Sequence, residues 1–383
     1  MKDIKMPVGY LEFHKDPVIN FQLNARLYSS GIFDEDEITE VSQRIYDFQD
    51  WKNEMVALAS RSEQKGNYLQ AATAYRAAEF FATIDDQDKK KYYDMALQLY
   101  RIALKDQSIE ISYVDFEEGK LYCMKFKPDQ KKCGTIILHG GYDSFIEEFY
   151  NITRLMVNRG FEVIMFEGPG QGQPLYNYNM KMIHNWEKPV AQILDNFELD
   201  DVTLIGISFG GYLAARAAAF ESRIKRVVLF DIIYDFYGAV LNKKSKSEKI
   251  VTQILMALKA KNAINGIEKT AREHSKFASW LIDQGYYIFG VNNLYDYMEK
   301  IKIYSTKSFN HLIKQDVLLM EGEEDMYMCF WEKQKKALKN AKSVTGRVFT
   351  KKEAASHHCQ VGNYPLAIHY ILDWIESKTN KFY

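Results

Sequence analysis

Ser208, Asp325 and His358 lie far apart in the chain, yet their types and their order are those of a proton relay. A serine hydroxyl is a poor nucleophile until a base accepts its proton, and the base works best when a third group fixes its orientation. Ser208 stands in Gly206-Ile207-Ser208-Phe209-Gly210, between the apolar run Val202 to Ile205 and an Ala-rich helical stretch beginning near Gly211. That context predicts a sharp strand-to-helix turn that lifts the hydroxyl out of a sheet, with flanking glycines removing side chains that would collide. The pentapeptide alone is also an ordinary glycine-bracketed turn, so its partners decide. Val317 to Met320 is followed by Glu321-Gly322-Glu323-Glu324-Asp325, which places a carboxylate in the turn after a strand. Asp325 is the expected acid, and Glu323 and Glu324 read as solvated turn residues. The strand-like Ser343 to Thr350 leads through a short loop to His357-His358-Cys359-Gln360, ahead of a closing amphipathic helix that ends near Asp373-Trp374-Ile375. A histidine there can reach back over the sheet edge. Adjacent side chains point in different directions, so only one of His357 and His358 can sit on the serine, and the spacing leaves that choice open.

Upstream, the run ending at Leu138 continues into His139-Gly140-Gly141-Tyr142-Asp143-Ser144. Small residues there let backbone N–H groups face a substrate. With the amide of Phe209, an amide from Gly141 or Tyr142 can hold a developing oxyanion, an interaction worth about 3 kcal/mol in comparable sites. His139 precedes the glycines and reads as a brace for that loop. Glu167-Gly168-Pro169-Gly170-Gln171-Gly172 suggests a dinucleotide loop but fails on spacing, because Pro174 and a polar Tyr/Asn stretch are expected to intervene before any helix. It reads as a tight structural loop near the mouth of the site, and no cofactor is implied. Nor is a metal expected: contiguous His357, His358 and Cys359 do not converge on one ion, and no distant partner set completes four ligands.

These residues need a scaffold. From Ile38 to Lys105 the apolar positions recur at helical spacing, and Ala59, Gly66-Asn67-Tyr68, Ala71-Ala72, Tyr75 and Ala78 have the small-residue pattern of a tetratricopeptide-like helix hairpin. One hairpin is not an array, so a helical cap or brace over residues 1–106 is expected. Ile109 to Phe116 and Leu121 to Phe126, split by Glu117-Glu118-Gly119-Lys120, read as a β-hairpin. Thr135 to Leu138, Phe161 to Phe166, Val202 to Ile205, Val227 to Phe230 and Val317 to Met320 are short and nearly all apolar, as strands buried on both faces are. Helical patterns at Phe145 to Arg159, His184 to Phe197 and Gly211 to Glu221 alternate with them. The fold class is therefore α/β, with a mostly parallel central sheet, helices on both faces, and a catalytic domain over 107–383. After the sixth strand, 232–315 is too long for a crossover. It reads as a helical insertion, with helices at Ile250 to Leu258 and Ala271 to Leu281. About two-thirds of its aromatics, among them Tyr234, Phe236, Trp280, Tyr287 and Tyr297, are expected in its own core. The rest would line an apolar pocket over the serine.

Composition bounds the setting. The chain has 383 residues, 47% apolar and 26% charged, with a formal net charge of -1. That balance predicts a globular, soluble protein and gives no electrostatic case for nucleic acid or anionic lipid. Lys243, Lys244, Lys246 and Lys249 read as a solvated loop. The N-terminus carries scattered charges instead of the continuous apolar stretch of a secretory signal. Cys123, Cys133, Cys329 and Cys359 show no paired spacing, which fits a reducing cytoplasm. The expected partner is a small-molecule or short-peptide substrate, with no nucleic acid and no membrane; self-association is left open.

Together these residues resemble the α/β-hydrolase superfamily over roughly Ile109 to Ser377, and the order Ser208, Asp325, His358 matches its Ser, acid, His order. Within it, His139-Gly140-Gly141-Tyr142-Asp143-Ser144, Gly168-Pro169-Gly170-Gln171-Gly172 and His358-Cys359-Gln360 are similar to the branch of FrsA-like proteins, dihydroxypseudooxynicotine hydrolase and acylaminoacyl-peptidase-like enzymes. That branch carries an N-terminal helical region. The resemblance implies Ser208 as nucleophile, Asp325 as acid and the histidine before Cys-Gln, His358, as base, with His357 the runner-up. It implies a serine hydrolase acting on a carbonyl substrate, in a branch whose members cut ester, amide and carbon-carbon bonds; an ester or amide is the expected substrate. The segment before Asp106 is too short and helical for the β-propeller of true acylaminoacyl peptidases. Two other outcomes are a carbon-carbon bond hydrolase using the same residues and a partner-binding protein with a vestigial hydrolase fold.

Overall fold

The computed structural model describes residues 5–105, 109–231, 234–242, 244–325 and 330–379. Lys243, Cys329, the first residues of the insertion and the division at 106/107 lie outside them. Helix formation begins earlier than apolar periodicity suggests, at α1 (Pro17–Gln22), where the Asp16 carboxylate accepts from the Val18 and Ile19 N–H groups and Pro17 opens the first turn. A π-helical turn, Leu23–Tyr28, continues it. The helical reading from Ile38 onward missed this segment because Asp16-Pro17 is a start signal without a long periodic run behind it. Then follow α2 (Glu35–Ser42), α3 (Phe48–Gln64), α4 (Tyr68–Phe80) and α5 (Gln87–Ala103). Alanines let α4 sink between its neighbours, so that Ala71 through Phe80 are all buried and Trp51 Nε1 donates to Ala77 O at 2.6 Å.

The sheet has eight strands in the order β1-β2-β4-β3-β5-β6-β7-β8. β1 (Ile109–Phe116) and β2 (Gly119–Phe126) form an antiparallel hairpin, and β2 pairs antiparallel with β4 (Phe161–Glu167). β3 (Gly134–His139), β5 (Val202–Ile207), β6 (Ile224–Phe230), β7 (Asp316–Gly322) and β8 (Ser343–Phe349) complete a parallel set with β4. Side chains alternate across it. Ile136 and Leu138 enter a core shared with the N-terminal helices, whereas Ile137 enters the opposite one with Leu213 and Leu229. His139 pairs with Gly206, and Phe230 with both Ile207 and Met320, so the carboxyl ends of β3, β5, β6 and β7 lie side by side. Sites in parallel sheets form at that edge.

The sheet is flanked by α6 (Tyr150–Asn158), α7 (Gly172–Tyr178), α8 (Glu187–Asn196) and α9 (Gly210–Phe220). α7 corrects an expectation: the glycine-rich loop opens directly into a helix, and Pro174 is tolerated because it falls in the first turn, where an N–H has no intrahelical partner. The Glu167 carboxyl accepts from Gln173 N at 2.8 Å and Ile146 N at 3.2 Å, so a side chain of the protein itself occupies the N-terminal end of that helix. Between β6 and β7 come α10 (Phe236–Asn242), α11 (Lys246–Ala257), α12 (Lys261–His274), α13 (Lys276–Phe289) and α14 (Leu294–Ile301). The helix expected over Ala271 to Leu281 is instead broken at Ser275, whose extended backbone ends α12 and whose hydroxyl accepts from Ala278 N to start α13. α15 (Trp331–Ala337) and α16 (Tyr364–Thr379) follow β7 and β8. Among the described residues no helix is long and apolar enough to cross a membrane.

Candidate active site

Ser208 occupies the turn between β5 and α9 with a left-handed backbone, φ 62°, held by its N–H donating to Phe230 O at 2.5 Å. The turn is that tight because Gly206 lies against the carbonyl of Gly210, leaving no room for a Cβ. Such a backbone is strained for a non-glycine residue and pushes the side chain outward. Ser208 Oγ lies 2.8 Å from His358 Nε2, and His358 Nδ1 lies 2.7 Å from Asp325 Oδ2. One imidazole thus touches both the hydroxyl and the acid. His357 goes elsewhere, tilted against Tyr10 at 3.7 Å between ring centroids and 3.9 Å from Glu324. The neighbouring acids fasten the turn: Glu323 accepts from Lys351 N and Glu324 from Ser356 Oγ.

Burial opposes charge on His358, but the Asp325 and Asp231 carboxylates outweigh it and hold its pKa well above the ordinary value. Asp231, which the sequence reading did not single out, lies at the end of β6 with no exposure to solvent, 3.0 Å from His358 Nδ1. Burial and the Asp325 carboxylate push its own pKa up. An aspartate ending an apolar strand was the available signal. Asp231, His358 and Cys359 also bring three ligand-type atoms within 4.8 Å of one another. They make a poor metal site, because both imidazole nitrogens are already engaged and burial pushes the Cys359 thiol up to about 12, away from the thiolate a metal prefers.

The His139–Ser144 loop lies against the elbow, and an added Cβ on Gly141 would stand 2.6 Å from Phe209 N. Of the expected oxyanion donors, Gly141 N–H donates to Ser144 Oγ at 3.3 Å, whereas those of Phe209 and Tyr142 have no partner among the described residues. Three supports fix the loop. His139 Nδ1 donates to Gly140 O at 2.8 Å, and burial pushes this histidine down to about 4, so the ring stays neutral. Gln171, from the glycine-rich loop, donates to Gly140 O and Gly141 O at 2.9 Å each. Arg76 of α4 reaches across to Asp143 O.

Over Ser208 and His358 lies a cavity of about 500 Å³. Phe21, Leu69 and Phe80 from the N-terminal helices form one wall and Phe149 and Ile152 another. From the insertion, Phe236, Trp280 and Tyr297 face it, whereas Tyr286 and Phe289 pack on Tyr297. Two of its charged lining residues, Arg26 and Glu148, pair with each other.

Comparison with known proteins agrees with this architecture. The α/β-hydrolase fold family matches residues 136–256. Hydrolyase poxO of Penicillium oxalicum is 30% identical over 228 residues, 55% of this chain and 50% of that protein. The 20-hydroxy-prefusarin hydrolase FUS2 of Gibberella moniliformis is 26% identical over 300 residues, 72% of this chain and 70% of that one. The chain spans about half the length of the first curated relatives it matches. Among solved structures, 2,6-dihydroxy-pseudo-oxynicotine hydrolase superposes with a TM-score of 0.66 at 17% identity, covering 93% of this chain and 94% of that one. AbyA5 gives 0.70 at 14%, covering 94% of both. At such identities the likeness shows the fold. The chain has the α/β-hydrolase fold.

Proposed function

We propose that the protein is a serine hydrolase that cleaves an ester or amide through an acyl-enzyme. The observation that carries this reading is the single imidazole of His358 lying 2.8 Å from Ser208 Oγ and 2.7 Å from Asp325 Oδ2. As Ser208 attacks a carbonyl carbon, His358 takes its proton and Asp325 balances the imidazolium. The amides of Phe209 and Tyr142 receive the oxyanion, and collapse passes the proton from His358 to the leaving group. Water, deprotonated by the same imidazole, then releases the acid and restores Ser208. The apolar cavity supports a small-molecule substrate with a sizeable hydrocarbon part, and the helices within 1–106 and 232–315 serve as its cap and lid. The free thiols Cys123, Cys133 and Cys359 support a reducing compartment such as the cytoplasm.

A panel of p-nitrophenyl esters, aminoacyl p-nitroanilides and aryl diketones, run beside Ser208→Ala, tests the reading. Turnover of esters or anilides that vanishes in the variant supports it. Turnover of diketones alone would replace it with carbon-carbon bond hydrolysis, and turnover that survives in Ser208→Ala would remove Ser208 from the reaction.

A further inference from the structure

We infer that Asp231 is a second acid for His358, so that the imidazole is positioned by two carboxylates from two different strands; this rests on the role of Ser208 and His358 proposed above. His358 Nδ1 carries one hydrogen, and it faces Asp325 Oδ2 at 2.7 Å and Asp231 Oδ2 at 3.0 Å. Asp231 also holds the loop that carries the histidine. Its Oδ2 accepts from Cys359 N at 2.5 Å and its Oδ1 from Gln360 Nε2 at 3.2 Å. Cys359 and Gln360 both have left-handed backbones, φ 52° and 53°, which persist in non-glycine residues only where surroundings impose them.

A fully buried carboxylate needs a charge partner or a proton. Among the described residues, the titratable groups around Asp231 are His358, Asp325 and Cys359, with the Glu321 carboxyl feeling the charge of both aspartates. His358 is the one cation among these. Asp231 therefore stabilises the imidazolium formed when Ser208 loses its proton, and it raises the basicity of the ring beyond what Asp325 provides. Asp231 is a positioning residue, since it reaches the reacting atoms only through His358.

The test is the rate at which a fluorophosphonate probe labels Ser208, measured across neutral and alkaline pH in full-length wild type, Asp231→Asn, Asp231→Glu, Asp325→Asn and the double Asn variant. Asparagine keeps an oxygen for Cys359 N–H while removing the charge, so a purely structural role would leave the pH profile in place. The expected result is a midpoint lower by about one pH unit in Asp231→Asn, as loss of a nearby opposite charge gives, and restored in Asp231→Glu. Asp325→Asn should slow labelling by about 10- to 100-fold, against the roughly 10⁴-fold loss seen when a lone triad acid is replaced. The double variant should fall to that larger loss. Superimposed wild-type and Asp231→Asn profiles would overturn the inference. So would an Asp325→Asn rate as low as that of the double variant, an arm that stands even if Asp231→Asn does not fold. Absence of labelling in wild type would instead sink the reading of Ser208 itself.

Discussion

At the scale of single residues, protonation of one imidazole governs the proposed chemistry. His358 must be neutral to accept a proton, yet Asp325 and Asp231 hold its pKa above 6.5 against the opposing effect of burial. The rate should therefore fall as pH drops through that raised value and rise into the alkaline range. A kcat/KM profile with its acid limb below 6.5 would contradict this. Gly141 gives a second prediction. A Cβ there would stand 2.6 Å from Phe209 N, and the displacement should misplace the amides proposed to hold the oxyanion. Gly141→Ala should retain its fold by circular dichroism but lose about 10²- to 10³-fold in kcat, the loss typical of a removed donor. Ser208 and Asp325 were legible because each stands in a turn after an apolar run, whereas the choice of His358 over His357 came from the family resemblance and not from spacing. Asp231 was not, since only the placement of β6 between β5 and β7 sets it beneath His358, and no spacing in the chain encodes that neighbourhood.

At the scale of elements, α4 connects the N-terminal helices to the His139–Ser144 loop through a buried ionic cluster. Glu79 meets Arg76, Tyr176 and, at 2.5 Å, Lys89, while Arg76 also reaches Asp143 O. Burial would raise the Glu79 pKa, but Lys89 and Arg76 win and pull it to about 2 from an ordinary 4.5. A depressed carboxylate stabilises the fold above its unfolded pKa, so this contribution is present at neutral pH and is lost as pH falls from about 4.5 toward 2. Glu79→Gln leaves two buried cations short of a partner and should cost about 3–5 kcal/mol in urea denaturation at neutral pH. A change within the scatter of wild type would show the cluster to be energetically idle. Strand positions were plain in the sequence, because buried strands are short apolar runs; helix ends were harder. Pro174 looked like a breaker and sits in a first turn, and Ser275 divides what periodicity joins.

At the scale of the whole molecule, the cavity belongs to no single part. Trp280 of α13 is buried and donates from Nε1 to Phe80 O of α4 at 2.8 Å, so the insertion and the N-terminal helices meet above the site. Trp280→Ala should lower stability by about 3–5 kcal/mol. It should also raise KM for long-chain p-nitrophenyl esters by about tenfold, a loss of about 1.4 kcal/mol, with little change for the acetate. An equal effect on both esters would mean the indole does not line the acyl site. The insertion was recognisable from its length alone, but which of its aromatics face the cavity depends on how separate helices meet, and the sequence holds no local record of that.

The claim on which the rest depends is that His358 activates Ser208. Mass-spectrometric mapping of a fluorophosphonate adduct tests it most directly. One adduct, on Ser208, is expected in wild type, and its loss in His358→Ala with the fold intact. An adduct on any other residue, or labelling of Ser208 that proceeds at the wild-type rate without His358, would contradict it.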